Sequence, residues 1–497
     1  MGAHMENIYI GIDLGTSGVK LLAVDEGRRV LAQTGRSYEN DHPRAGWSEI
    51  DPDIWFRQTL DGLTELLSGL DPSGVAAIGV TGQMHTLVPL DGEGQCVRPA
   101  LLWNDKRTKA LIQELREALR PCSDGEYLSG IVSTGSPAAN LLWLSREEPE
   151  AFARVRKFLI GPDYIVYRLT GTAGTNFCEA STSSLYAPEK RQWLAEILDL
   201  IGLPASACPL VRGSAEVAGC VLPRLCALLG LPEGTPVVAG TGDNPATALS
   251  TGCLGRGYPV LSLGTSGVLM FPVRSLAEVS RGKAILCSRD GRDFEYLVQC
   301  VVQATGESVS WWVSRVLGRS DYDGLAGAVT EEMRREPRLL FYPHLNGDKT
   351  LYADPNLRGA FLGLTSGHGP EQLYYAVLEG LCFAFRQLIE TVRPAGNAWD
   401  ALKVVGGGSG SDLWMQALAD VLNIPVERMG GLMGPGFGSA LLAWASDHSG
   451  QLLEAGLTLE RRFEPDGSMR AFCDEKYRKY LRTHDALKAV DGERGSL

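Results

Sequence analysis

Short apolar runs separated by glycine-rich turns recur along the chain, and two of the turns are identical. Residues 8–12 and 19–24 flank Leu14-Gly15-Thr16-Ser17-Gly18-Val19, and residues 260–263 and 268–271 flank an unchanged copy, Leu263-Gly264-Thr265-Ser266-Gly267-Val268. Each copy predicts a β-hairpin with a Gly/Ser/Thr bend. The copies lie 249 residues apart, about half the chain, which predicts a duplicated unit. Residues 237–242 and 404–409 add a second echo: both read as buried strands running into Gly-rich turns and then helices. On that pairing the first half carries about 82 extra residues, placed mainly within 98–191 and suited to substrate selectivity. Helical stripes follow at matching stages. Asp51 and Pro52 cap a helix with Ile54, Trp55, Leu60, Leu63 and Leu67 on one face. Leu373, Ala376, Val377, Gly380, Leu381 and Ala384 form the other, where Gly380 permits close approach of a neighbouring backbone. The expected organisation is two α/β lobes, residues 1–247 and 248–497, with a ligand cleft at their junction.

Composition narrows the class of partner. The chain has 497 residues, 44% of them hydrophobic, too many for one small module. Net charge is −12 and no basic run stands out, which argues against nucleic acid and anionic membranes. No window approaches a membrane-spanning apolar length, and residues 1–5 lack the features of a signal peptide and read as a cloning remnant. The 11 cysteines form no Cys-x-x-Cys pair and sit among apolar neighbours. Reduced, mostly buried thiols of a cytoplasmic protein fit that pattern, with neither a disulfide framework nor a zinc site.

The chemistry begins with what holds phosphate. There is no Gly-x-x-x-x-Gly-Lys-Ser/Thr loop, and Gly406-Gly407-Gly408-Ser409-Gly410 and Gly434-Pro435-Gly436-Phe437-Gly438 are partial glycine fingerprints, each readable as a tight turn. Two Gly-Thr-Ser-Gly bends from opposite lobes, however, present backbone N–H groups and hydroxyls able to grip a polyphosphate. The copies differ in charge, since Asp13 and Lys20 of the first align with Ser262 and Leu269 of the second. Asp13 is therefore read as a Mg²⁺-associated carboxylate, and Lys20 either as a phosphate cation or as a solvated strand residue. Gly240-Thr241-Gly242-Asp243-Asn244-Pro245 puts a carboxylate where a strand yields to a helix. Asp243 is a helix N-cap on one reading and the general base of a phosphoryl transfer on the other. Gly82-Gln83-Met84-His85 and Trp103-Asn104-Asp105 are polar clusters directly after apolar runs, as expected of cleft-lining loops. No two of the seven histidines have metal-ligand spacing.

In order and spacing, Ile10-Gly11-Ile12-Asp13-Leu14-Gly15-Thr16-Ser17, Gly82-Gln83-Met84-His85, Trp103-Asn104-Asp105, Gly242-Asp243-Asn244, Ser262-Leu263-Gly264-Thr265-Ser266-Gly267 and Gly406-Gly407-Gly408 resemble the FGGY carbohydrate kinases. The resemblance spans about residues 8–445 and is strongest to members that act on D-xylulose. It implies two ribonuclease H-like lobes, as in actin and hexokinase, with MgATP and a sugar in the cleft. By motif, Asp243 resembles the catalytic base and Asp13 the magnesium carboxylate. Thr16, Ser17, Lys20, Gly264 and Thr265 resemble phosphate-loop positions, Gly407 and Gly408 the wall near adenosine. Met84, His85, Trp103, Asp105 and Asn244 resemble sugar-site positions. Glycerol-specific members usually carry Arg-Glu where Met84-His85 stands. Two departures bear on the ketose: Asn140 replaces a frequent Lys, and residues 344–351 depart from the usual Tyr-Leu-x-Gly-Glu-Arg-Thr-Pro. The implied acceptor is D-xylulose, with ribulose, gluconate or a heptulose as rivals, and a non-catalytic nucleotide-dependent module as the alternative outside the class. The sequence does not set the oligomeric state, a homodimer included.

Overall fold

A computed structural model describes residues 7–394, 396–448 and 456–492; residues 1–5, read above as a cloning remnant, lie outside them. The first sheet is built from β1 (Ile8–Leu14), β2 (Gly18–Val24), β3 (Val30–Ser37), β4 (Val75–Gly82), β5 (Val217–Cys220), β6 (Pro236–Val238) and β7 (Thr241–Gly242). Its order is β3-β2-β1-β4-β6-β5, with β7 also paired to β4. The second comprises β8 (Val260–Leu263), β9 (Gly267–Val273), β10 (Lys283–Cys287), β11 (Glu295–Val302), β12 (Leu402–Val405), β13 (Val426–Gly431) and β14 (Leu457–Phe463), in the order β10-β11-β9-β8-β12-β13-β14. Both repeated turns close antiparallel hairpins, β1–β2 and β8–β9, as their pattern predicts.

The sheets share one plan: an antiparallel pair and a third antiparallel strand on one side, two parallel strands and an antiparallel edge on the other. This plan corrects the second echo. The first parallel neighbour of β8 is β12, which contains Val404, and the first parallel neighbour of β1 is β4, not the strand containing Val237. Any buried parallel strand ending in a Gly-rich turn carries the same apolar signature, so the pattern does not report its place in a sheet. The count of about 82 extra residues, which rested on that pairing, falls with it. The large insertion of the first half enters after β4 and returns at β5, and residues 98–191 lie inside it.

Four further elements position the site. From the insertion, α1 (Gly125–Ile131) and α2 (Phe177–Thr182) face the second sheet; α3 (Asp243–Ser250) follows β7 directly. Late in the chain α4 (Pro435–Asp447) packs on β1, β4 and α3. Glycines make that contact possible: a Cβ on Gly79 of β4 would stand 1.9 Å from Ser439 O, and one on Gly438 of α4 would stand 1.9 Å from Ala246 O. The two helical stripes are core faces as expected, and a Cβ on Gly380 would lie 2.3 Å from Phe341 O. The C-terminal strand and helix belong to the second lobe. β14 pairs with β13, and helix Arg470–Gly492 docks through a buried Lys476–Glu379 ion pair of 2.5 Å. All eleven cysteines are free and eight are buried.

Candidate active site

Asp13 is the next-to-last residue of a strand buried along its whole length. Its register partners are Lys20 on β2 and Thr81 on β4. Burial drives its pKa up to about 7, with the Asp243 carboxylate pushing the same way and Lys20 opposing. The hairpin bend beyond it is closed by Gly15 N–H donating to Gly18 O at 2.9 Å. Asn40 donates to Thr16 O at 2.9 Å, and the half-exposed Trp103 donates its indole N–H to Thr16 Oγ1 at 3.0 Å, while Ser17 is left exposed.

Asp243 reaches the same place by a different route. Thr241 of β7 pairs with Thr81 of β4, the residue that also faces Asp13, and the chain turns into α3 two residues later. The N-cap is Gly242, so Asp243 is the first helical residue, not the cap. Its Oδ1 accepts from Asn244 N–H at 2.7 Å. Burial raises its pKa to about 6, held back by that N–H and by the Lys283 charge. Asp13, buried, and Asp243, half-buried, thus form an acidic pair. No third His, Cys, Asp or Glu joins them in a metal-holding group among the described residues. One or two carboxylates with room for phosphate oxygens and water is the donor set that suits Mg²⁺.

Beside Asp243 lie three of the sugar-site candidates. Asn244 Nδ2 points at Met84 Sδ, 3.7 Å away, and a Cβ on Gly242 would strike Met84 Cγ at 2.4 Å. His85 adopts a left-handed backbone, φ 67°. Its Nδ1 is 3.1 Å from Thr182 O, and its Nε2 meets the Lys283 ammonium. Burial first, and the Lys283 charge second, hold the imidazole pKa well below its ordinary value. Beneath it Glu179 Oε2 accepts from His85 N–H at 3.5 Å. Burial raises the Glu179 carboxyl well above its usual range, helped by Asp163 and Asp243.

Asp105 is not brought to this cluster. Its two oxygens accept from Ser48 N–H (2.7 Å) and from the backbone and guanidinium of Arg107, which also pairs with Glu49 and stacks 3.7 Å over the Trp47 ring. Both Asp105 and Arg107 side chains are fully buried. On the second hairpin, Gly264 O accepts from Gly306 N–H at 3.0 Å and Thr265 O from Glu307 N–H at 3.2 Å, so the bend is tied to the first turn of the helix Thr305–Ser310. Gly408 packs under this hairpin, where a Cβ would lie 2.9 Å from Leu263 Cβ, while Gly407 faces open space. Asn140 is buried in the insertion helix Pro137–Glu147. Sequence reasoning missed Lys283 and Glu179. Neither sits in a motif, and each becomes visible only once β10 and α2 are packed against the acidic pair.

Two lobes on sheets of one topology, with a carboxylate from a hairpin strand beside one at a helix start, define the actin/hexokinase-type ATPase class. Within it the chain belongs to the FGGY family of carbohydrate kinases: that family's N-terminal domain matches residues 8–250 and its C-terminal domain residues 260–446. It is 33% identical to a xylulose kinase of Escherichia coli over 487 residues, covering 97% of this chain and 99% of that protein. It is also 33% identical to a xylulose kinase of Bacillus subtilis over 440 residues, 87% of each. A crystal structure of a xyloylose kinase from Brucella ovis superposes with a TM-score of 0.88 at 32% identity, covering 97% of this chain and all of that one. The protein is a sugar kinase with ATP as co-substrate, as its motifs lead one to expect. No helix among the described residues is long and apolar enough to cross a membrane.

Proposed function

We propose that the protein transfers the γ-phosphoryl group of ATP to D-xylulose, giving D-xylulose 5-phosphate, with Asp243 as general base. The observation that carries this reading is the Asp243 carboxyl at the first turn of α3, raised to about 6 and near enough to raise the pKa of Asp13. A base of that pKa is ionised at neutral pH yet accepts a proton readily as the attacking oxygen gains positive character. The O5–H proton passes to Asp243 as the O5–Pγ bond forms, the bond from Pγ to the β,γ-bridging oxygen breaks, and ADP departs. Asp13 would hold Mg²⁺ through water, and the bound ion would neutralise phosphate charge. Thr16, Ser17 and Lys20 on one bend, and Gly264 and Thr265 on the other, hold the phosphates, with Gly407 and Gly408 beside the adenosine. Met84, His85, Trp103 and Asn244 line the acceptor side. Similarity to the two bacterial xylulose kinases supports D-xylulose, and Met84-His85 speaks against glycerol.

ADP release measured with D-xylulose, ribulose, gluconate, a heptulose and no sugar tests the acceptor. D-xylulose should give the highest kcat/KM; a higher value with another sugar overturns the assignment. Asp243→Ala should lose at least about a hundredfold in kcat while still binding ATP. Near-normal turnover in that variant removes the base.

A further inference from the structure

Lys283 opens β10, the edge strand of the second sheet, yet its head group lies among residues of the first lobe. The strand is held there by side chains that occupy its free backbone groups. Tyr127 of α1 donates its hydroxyl to Ala284 O at 2.6 Å and accepts from Ala284 N–H at 2.8 Å, and Ser181 of α2 accepts from Leu286 N–H at 3.1 Å. These bonds tie the edge strand to α1 and α2, so Lys283 is held against the insertion. Its ammonium then meets His85 Nε2. Because an ammonium can only donate, that nitrogen must be the acceptor, and the ring proton resides on Nδ1, which donates to Thr182 O.

Resting on the sugar-kinase reading above, we propose that Lys283 is a positioning residue of the acceptor site, lent by the second lobe to the first: it locks His85 as the neutral Nδ1–H tautomer and sets a positive charge beside Asp243. Both ring nitrogens of His85 are engaged, so the imidazole offers the sugar a fixed face and edge. The acceptor site is complete only while β10 is docked on the insertion, which ties sugar recognition to the relation between the lobes. The groups facing the ammonium are His85, Cys178 and Glu179 of α2, and Asp243 of α3. Burial lowers its pKa to about 8, against the pull of Cys178, Glu179 and Asp243. As pH rises through about 8 the amine loses its charge, and the hold on His85 weakens with it.

Steady-state kinetics of Lys283→Met and Lys283→Arg, with D-xylulose and ATP varied separately, tests the role. K283M should lower kcat/KM for D-xylulose about ten- to a hundredfold, the loss expected for one charge-assisted hydrogen bond. KM for ATP should stay within about twofold, and the alkaline limb of the sugar profile near pH 8 should disappear. K283R, which keeps the charge, should recover part of the loss. Unchanged sugar parameters and pH profile in K283M overturn the proposal. So does an equal loss toward both substrates with a lowered melting temperature and no recovery in K283R, which marks a folding role. Imidazole ¹⁵N NMR of the ligand-free protein separates this proposal from the assignment of the sugar. His85 should be Nδ1-protonated and neutral in the wild type and should exchange tautomers in K283M, whichever sugar is phosphorylated. An identical His85 spectrum in both also overturns it.

Discussion

Asp13 and Asp243 are coupled across the end of a single strand: Asp13 pairs in register with Thr81 of β4, and Thr81 pairs on its other side with Thr241, two residues before Asp243. Each strand ends near the same line, so two carboxylates 230 positions apart in the chain are brought close enough for one to raise the pKa of the other.

Both carboxyls are raised above the ordinary carboxylate range, Asp13 to about 7 and Asp243 to about 6. For a raised acid the unfolded chain loses its proton first. Stability from these groups is therefore complete below about pH 4 and is lost as pH rises through 6 to 7. Asp13→Asn should accordingly raise the ligand-free melting temperature above pH 7, by about 1–3 °C, in a calorimetric scan. A lower melting temperature contradicts the unrelieved burial of that charge. In the wild type, binding of Mg²⁺ and nucleotide below about pH 7 should release protons, seen as buffer-dependent binding heat, and Asp13→Asn should abolish the release.

If Asp243 is the base proposed above, turnover should fall as pH drops through about 6, because only its ionised form can accept the sugar proton. A kcat/KM profile flat across that region argues for another base.

Trp103→Phe keeps an aromatic ring, smaller than the indole, and removes its N–H, leaving Thr16 Oγ1 without the donor seen at 3.0 Å. If Thr16 serves the phosphates, KM for ATP should rise about two- to tenfold, the worth of a neutral hydrogen bond. An effect confined to the sugar KM would place Trp103 on the acceptor alone.

Asp105→Asn should act on folding. Arg107 loses a fully buried counter-ion, at a cost of about 3 kcal/mol, the low end for a broken buried pair because Glu49 still binds it. Denaturant unfolding measures this directly; unchanged stability with a raised sugar KM would restore Asp105 to the sugar site.

Gly79→Ala drives a methyl to within 1.9 Å of Ser439 O. Backbone cannot yield cheaply, so α4 must shift, at about 1–3 kcal/mol or more. The same helix carries Gly436, where a Cβ would stand 3.8 Å from that of Asp13, so the magnesium requirement should rise together with the loss of stability. Wild-type stability would show that α4 floats on the sheet.

The chain by itself determined what depends on near neighbours. A repeated hexapeptide dictated two hairpins, and once a bend sits at residues 15–17 the pairing of Asp13 with Lys20 follows from strand register. The start of a helix at Asp243 was likewise written locally, in Gly242 and Pro245. Tertiary packing decided the rest. It made β4, and not the strand containing Val237, the counterpart of β12, buried Asp105 against Arg107, docked the C-terminal helix on the second lobe, and brought Lys283 from an edge strand to His85. The physical reason is range. Apolar spacing and turn chemistry act over a few residues, whereas strand order, burial of charge and contacts between lobes are settled only when the whole chain competes for the same interior.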